Sequence, residues 1–207
     1  MNKKLKYGIW LVLLVIVAYN SVYFKKLDSM KALKAGNFDA VAYANNYLRK
    51  MLPAISNNAI NIDQLLNGLK LAPQKTFDTY SKALDIGSIR FFLVRGKAKI
   101  INIDDSDVYL LTDGSHSSIK IATEYIFGNA VRDASGLIHI NDFSNTSDLN
   151  NISAETNKII RQQILPSFKA QAKKGDDIEF FGAVEMKSSH PDIDDVEIIP
   201  VSLNIIH

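Results

Sequence analysis

The chain has 207 residues, of which 47% are hydrophobic and 22% are charged. This composition is typical of folded globular proteins and argues against intrinsic disorder. The sequence contains no cysteine, so the fold has no disulfide to rely on. Five of the 24 basic residues lie at or before Lys26, which leaves 19 basic against 22 acidic residues in the remainder. This acidic body argues against nucleic acid as a partner, because phosphate neutralisation needs clustered positive charge.

The first 26 residues predict a membrane anchor. Lysines precede an uncharged run from Tyr7 to Phe24, and two more lysines follow it. A helix of that length spans about 27 Å, close to the hydrocarbon core of a bilayer. A cleaved signal peptide is the alternative, although Ala18 to Ser21 is a poor cleavage site. The basic N-terminal flank predicts that residues 1–26 are a cytoplasmic tail and a single-pass anchor in the cell membrane, with the C-terminal part on the periplasmic side.

Residues 27–87 are predicted to form a small helical subdomain. Asn37 can cap a first helix that Pro53 stops, and Asn61 can cap a second. Pro73 starts a third helix that ends near Gly87. Apolar residues recur at helical spacing in the last two helices, which is typical of packing against a core: Ile62, Leu65, Leu66, Leu69, Phe77, Tyr80 and Leu84.

Residues 88–207 change to the alternating pattern of β-strands. The predicted strands are IRFFLVRGKAKIINI, VYLLT, IKIATEYIF, DIEFFGAVEM and VEIIPVSLNII. Gly96 interrupts the first strand at a place for a bulge or bend. A helix capped by Ser153 and broken by Gly175 follows the third strand. The fold class is therefore α+β, with an OB-like five-stranded β-barrel and a helix between strands 3 and 4. An antiparallel sheet covered by one helix is the alternative.

The connection at residues 128–152 is a candidate functional loop, because long connections in compact domains often bind ligands, act as lids or contain short elements. Its LIHI segment can add a short strand. Its polar side chains could bind a hydroxylated or anionic ligand, or a protein partner. The same groups could instead satisfy one another and the loop backbone. The candidate binding residues are Asn129, Arg132, Asp133, Ser135, Asp142, Asn145 and Asn150.

The sequence predicts no catalytic residue, no metal site and no cofactor. Ser115 beside His116 lacks the surroundings of a nucleophile elbow. The four histidines stand far apart without a zinc-binding spacing. Glu179 and Glu185 share a strand face at a separation of about 20 Å, too far for paired acid–base catalysis.

The first strand also carries a mild basic stripe. Arg90, Arg95, Lys97 and Lys99 alternate with aromatic and other residues along it. An OB-type fold could use such a stripe to bind single-stranded nucleic acid. The acidic, exported body instead favours core packing for the neighbouring aromatic side chains, and no nucleic-acid partner is predicted.

The stretch FGNAVRDASGLI resembles a bacterial family of predicted periplasmic lipoproteins of unknown function, the domain-of-unknown-function family 2291. The DF that follows it, the NxIS at Asn150 to Ser153 and Asn157 also resemble the family, as do YFKKLD, NFDAVAYA, IIPV and GDDIEFFGAVE. The resemblance implies a helical part followed by an OB-like α/β part, and it implies no reaction. It offers sugar-type ABC transporters as a partner class. This sequence departs from the family in lacking a lipid-accepting cysteine, which leaves the predicted transmembrane segment as the tether.

These observations favour a non-enzymatic, envelope-anchored binding or accessory protein. Its connection at residues 128–152 would contact a transporter component or a small solute. Two other classes stay open: an enzyme acting on envelope carbohydrate, and a purely structural envelope protein. The enzyme would need converging carboxylates that the sequence does not reveal.

Overall fold

The computed structural model describes residues 38–84, 87–114 and 116–206, and Asp39–His207 form one compact unit. The anchor predicted at residues 1–26 lies outside this part of the chain. Within the described ranges, no helix has both the length and the apolar character needed to cross a membrane.

Short helical segments open the described chain: α1 (Ala40–Asn46), a π-helical turn (Tyr47–Met51), α2 (Leu52–Ala54) and a 3₁₀ turn (Ser56–Asn58). Asp39 caps α1, because its Oδ1 accepts the backbone N–H of Ala42 at 2.9 Å. The predicted cap, Asn37, lies outside the described residues. Pro53 lies in the first turn of α2, where its missing N–H is tolerated, and the helical run ends one residue later.

A short strand and two helices follow: β1 (Ile60–Asn61), α3 (Ile62–Leu71) and α4 (Pro73–Tyr80). Asn61 caps α3 as predicted, since its Oδ1 accepts the N–H of Asp63 at 2.9 Å. The prediction that the third helix extends to Gly87 is wrong, because α4 ends at Tyr80. Beyond it, the backbones of Lys82 and Phe91 exchange two hydrogen bonds of 2.7 and 2.9 Å, which turns the chain from helix to sheet.

The five strands predicted from alternation are present: β2 (Ile89–Ile103), β3 (Asp107–Thr112), β4 (Ser118–Ala122), β5 (Asp177–Lys187) and β6 (Val196–Ile206). The third is shorter than predicted and ends before TEYIF. The N–H groups of Thr123 and Glu124 both donate to the carbonyl of Ser106, at 2.8 and 3.2 Å, so the chain leaves the ladder there.

The strand pairings form a closed circuit from β2 through to β5. The order is β1-β2-β3-β4-β6-β5, and β5 pairs again with β2. The β4–β6 contact is parallel, and the other pairings among β2 to β6 are antiparallel. Each of these five strands therefore has two neighbours, and β1 adds a short parallel edge to β2. Apolar side chains of α3 and α4, together with Phe168, share one core with the inner faces of the strands.

Gly96 has a different role from the predicted bulge. The ladder between β2 and β5 runs without interruption from Ile89 to Lys99. A Cβ at Gly96 would lie 2.7 Å from the Ile62 side chain and 2.8 Å from Phe180, so the glycine permits close packing. The register shifts occur elsewhere, between Ile100 and Asn102 and between Phe181 and Gly182.

The connection at residues 128–152 is largely structured. It contains α5 (Ala130–Ala134), a 3₁₀ turn (Ile140–Asp142) and the first half of α6 (Thr146–Ile159), which continues through a π-helical turn (Ile160–Ile164) into α7 (Leu165–Lys169). LIHI forms no strand. Ser153 is not the cap of α6 but a buried residue within it, because Asn145 accepts the N–H of Asp148 at 3.0 Å and starts the helix earlier. Gly175, at φ +99°, lies in the turn that precedes β5.

Candidate functional site

Arg132 and Asp133 form a buried ion pair on α5. Their relative exposures are 4% and 7%, which almost removes both from solvent. Arg132 Nε and Nη2 donate to the two carboxylate oxygens of Asp133 at 2.6 and 3.0 Å. Arg132 Nη1 donates to the carbonyl of Leu149 at 3.1 Å, which ties α5 to α6. These contacts use the guanidinium inside the protein rather than presenting it to a ligand.

Tyr47 also holds α5 in place. Its hydroxyl donates to the carbonyls of Val131 and Arg132, at 2.7 and 3.1 Å. Burial raises the pKa of Tyr47 well above its usual value of 10.0, so the donor proton is retained. Tyr47 belongs to the π-helical turn, and the bond therefore joins the first helical segment to α5.

Other residues around α5 also form hydrogen bonds within the protein. Ser135 Oγ donates to the carbonyl of Arg132 at 3.1 Å and accepts the N–H of Leu137 at 3.1 Å. Asn157 donates its amide to the carbonyl of Gly128 at 2.9 Å. Asn129 precedes α5 and contributes its backbone carbonyl to the first turn of the helix. We call the set Tyr47, Arg132, Asp133, Ser135 and Asn157 the α5 brace.

The remaining candidates from the sequence lie apart from Arg132. Asp142 is exposed and accepts the N–H of His139 at 3.1 Å. Asn145 is the exposed cap of α6, and Asn150 is exposed on the same helix. The structure thus brings together the residues of the α5 brace but does not add Asp142, Asn145 and Asn150 to them.

Two cavities lie side by side on the outer face of β2 and β5, at a place that the sequence does not indicate. Their volumes are about 390 and 350 Å³, and both are lined by Arg95 and Glu179. Volumes of this size are typical of small-molecule sites. We call the two together the β2–β5 groove.

Three charged side chains of the groove, Arg95, Lys97 and Glu179, lack ion-pair partners among the described residues. Lys97 and Glu179 are directly opposite each other in the ladder, yet no ion pair joins them. Within the part of the chain that the structure describes, the Arg95 side chain makes one hydrogen bond, a long one of 3.4 Å from its Nη1 to Asn57. The next outward pair on the same strands, Lys99 and Asp177, does form a salt bridge at 2.8 Å. The groove therefore keeps donors and acceptors available where the neighbouring pair does not.

The two halves of the groove differ in polarity. The larger cavity has apolar walls from the helical segment and from β5 and β6, which include Leu48, Pro53, Phe181 and Val201. Ser202 and Asn204 add polar groups there. The smaller cavity adds Asn61, Asp63, Lys97 and Asp113, so charge is concentrated in that half.

Carboxylates also meet in the smaller cavity, where Asp63, Asp113 and Glu179 are all lining residues. Asp63 accepts the N–H of Gly114 at 3.3 Å. Over the described ranges, no group of three or more His, Cys, Asp or Glu side chains is placed to hold a metal ion. Carboxyl groups can act as general acids or bases, so this cavity is the candidate place for acid–base chemistry.

Arg95 and Lys97 belong to the basic stripe of the first predicted strand, whereas Glu179 lies on the fourth. All three side chains are exposed in the structure. Only the register between β2 and β5, which pairs Lys97 with Glu179, shows that they share one groove. Without that register, the sequence does not predict that these three charges lie close together.

The fold places the chain among OB-fold proteins. A crystal structure of an OB-fold protein from Thermotoga maritima MSB8 superposes with a TM-score of 0.74 at 22% sequence identity, covering 82% of this chain and 99% of that one. At this identity the likeness shows the fold alone. No functionally curated protein matches the chain.

The chain belongs to the family described as predicted periplasmic lipoprotein (DUF2291), whose model matches residues 12–204. This confirms the resemblance carried by the FGNAVRDASGLI stretch. The family has no established function, so its description indicates an envelope-side protein and assigns no reaction, ligand or site residue.

Proposed function

We propose that this protein is a non-enzymatic binding or accessory module of the cell envelope, and that it binds a small polar solute in the β2–β5 groove. The observation that carries the proposal is the absence of ion-pair partners for Arg95, Lys97 and Glu179 among the described residues, although all three line the groove. Charged groups at a cavity wall with free hydrogen-bonding capacity are typical of ligand sites. In this proposal the α5 brace stabilises the fold and does not bind the solute.

The experiment that tests this proposal is a thermal-shift screen of the full chain in detergent against sugars, polyols, sugar phosphates and amino acids. A groove variant, Lys97→Gln with Glu179→Gln, removes one positive and one negative charge. The control variant, Lys99→Gln with Asp177→Asn, removes the same charges from the next cross-strand pair. A bound solute should raise the melting temperature of the parent and the control but not that of the groove variant. Equal responses in both variants would place the solute elsewhere.

The partner in this proposal is a transporter component of the sugar-type ABC class. The support is the family resemblance together with an envelope-side location. Cross-linking of the full chain in native membranes, followed by identification of the linked proteins, tests it. Recovery of transporter subunits would support the proposal, and their absence from cross-linked products would refute it.

The tether in this proposal is the apolar segment within residues 1–26, a single pass with the C-terminal part on the periplasmic side. We predict that the protein stays with the membrane during alkaline carbonate extraction and is released by detergent. Protease added from the periplasmic side should digest the C-terminal part. Release by carbonate alone would contradict the anchor.

An enzyme acting on envelope carbohydrate is the second candidate, favoured by the three carboxylates of the smaller cavity. Such an enzyme uses one carboxyl group as an acid and a second as a base or nucleophile. Turnover of glycan fragments by the parent, lost in Glu179→Gln while the melting temperature is retained, would establish it. A purely structural role would follow if neither binding nor turnover is detected.

A further inference from the structure

The β2–β5 groove carries both signs of charge in its smaller half and an apolar surface in its larger half. Arg95 and Lys97 supply positive charge, and Glu179 and Asp113 supply negative charge. The walls of the larger half include Leu48, Pro53 and Val201. A ligand that fills both halves must therefore be charged at one end and apolar at the other.

Arg95 and Glu179 lie where one ligand can touch both. Glu179 is opposite Lys97, and Arg95 is two residues from Lys97 on the same strand face. Diagonal neighbours of this kind have Cβ atoms roughly 7–8 Å apart, within reach of long side chains. Both residues line the larger and the smaller cavity, so they form the boundary between the charged and the apolar half.

From this arrangement we infer that the groove binds a small zwitterion with an apolar tail, the chemical class of an α-amino acid with an aliphatic side chain. This inference rests on the proposed function and names the ligand class of the same site. The α-carboxylate accepts hydrogen bonds from the Arg95 guanidinium, a fork that suits a carboxylate. The α-ammonium donates to Glu179, and the aliphatic side chain lies against Pro53, an exposed apolar residue of the larger half.

The arrangement also explains how other solutes would be rejected. A simple carboxylic acid would leave Glu179 without a positive partner and place a second negative charge near it. A simple amine would leave Arg95 without an acceptor. An unpaired charge or a repelling pair of charges lowers the affinity of a ligand, so a ligand carrying both charges is preferred over either half alone.

Calorimetric titration of the full chain in detergent with leucine, 4-methylpentanoic acid, isopentylamine and a neutral polyol such as inositol tests the inference. Leucine should bind at least about tenfold more tightly than the acid, the amine or the polyol, a difference of about 1.4 kcal/mol. Arg95→Gln should weaken leucine binding by about tenfold or more, because the charged hydrogen bond is lost. Glu179→Gln should weaken leucine binding while improving binding of the acid.

The control is the double variant at Lys99 and Asp177, which should bind leucine as the parent does. Parent-like melting temperatures of the ligand-free variants establish that loss of binding is not loss of fold. If the polyol binds in the groove and leucine does not, the ligand class is wrong while the proposed function stands. If none of the four solutes binds and the wider screen is also negative, both fail.

Discussion

The buried Arg132–Asp133 pair illustrates at the residue scale how one set of side chains can serve a structure rather than a ligand. Arg132 bonds to Asp133 and to the Leu149 carbonyl, and Asp133 receives both remaining contacts of the guanidinium. The sequence identified these residues but could not distinguish a site from a brace, because that distinction depends on burial and on the partner atoms.

Replacement of Arg132 should therefore act on stability. Arg132→Met leaves the Asp133 carboxylate buried without its partner, and we expect the free energy of unfolding to fall by about 3–5 kcal/mol. Urea denaturation measures this. The control is Lys158→Met, which breaks an exposed pair with Glu155 and should cost less than about 1 kcal/mol. A loss as small for Arg132→Met as for the control would contradict the brace.

Tyr47 gives a second prediction at this scale. Tyr47→Phe removes the donor for two carbonyls and should lower the free energy of unfolding by about 1–3 kcal/mol. Because burial raises its folded-state pKa, the contribution of Tyr47 is fully present below pH 10.0 and is lost as the pH rises through the folded value. Urea denaturation at neutral and at alkaline pH should show a smaller alkaline loss in the variant than in the parent.

At the scale of elements, alternation and capping signals predicted much of the secondary structure. They did not predict the element boundaries that depend on tertiary contacts. Asn61 and Pro73 start α3 and α4 as predicted, since both signals are local. Just beyond the end of α4, Lys82 instead forms a bridge to Phe91 on β2, which capping signals do not reveal. The start of α6 was misplaced because Ser153, although a good cap by residue type, is buried inside a helix that Asn145 begins.

The β5–β6 bulge gives the prediction at this scale. A Cβ at Gly182 would lie 2.5 Å from the backbone oxygen of Ile199, which a rigid ladder cannot accommodate. Gly182→Ala should therefore lower the free energy of unfolding by about 1–3 kcal/mol. Gly128→Ala is the comparison. At Gly128 φ is +74°, but an added Cβ would have no neighbouring atom within 4 Å. The free energy of unfolding should therefore fall by only the backbone cost of about 1 kcal/mol. Similar melting temperatures for parent and Gly182→Ala would show that the bulge relaxes.

At the scale of the whole molecule, the β2–β5 groove arises from the closure of the strand pairings. β2 and β5 are separated in sequence by two strands and by α5, α6 and α7, so their register was not accessible to local patterns. The succession of strands along the chain could be predicted, because alternation marks each strand and the helix falls between the third and the fourth. The groove could not be predicted, because its walls also include residues of the π-helical turn and α2.

The central claim, that the solute binds in the β2–β5 groove and not at the α5 brace, can be tested most directly by NMR. Backbone amide resonances of the full chain in detergent would be compared with and without leucine or any solute that raises the melting temperature. The groove predicts the largest chemical-shift changes at Arg95, Gly96 and Glu179, with Ala130–Ala134 nearly unchanged. The largest changes within Ala130–Ala134, with β2 and β5 unaffected, would contradict it.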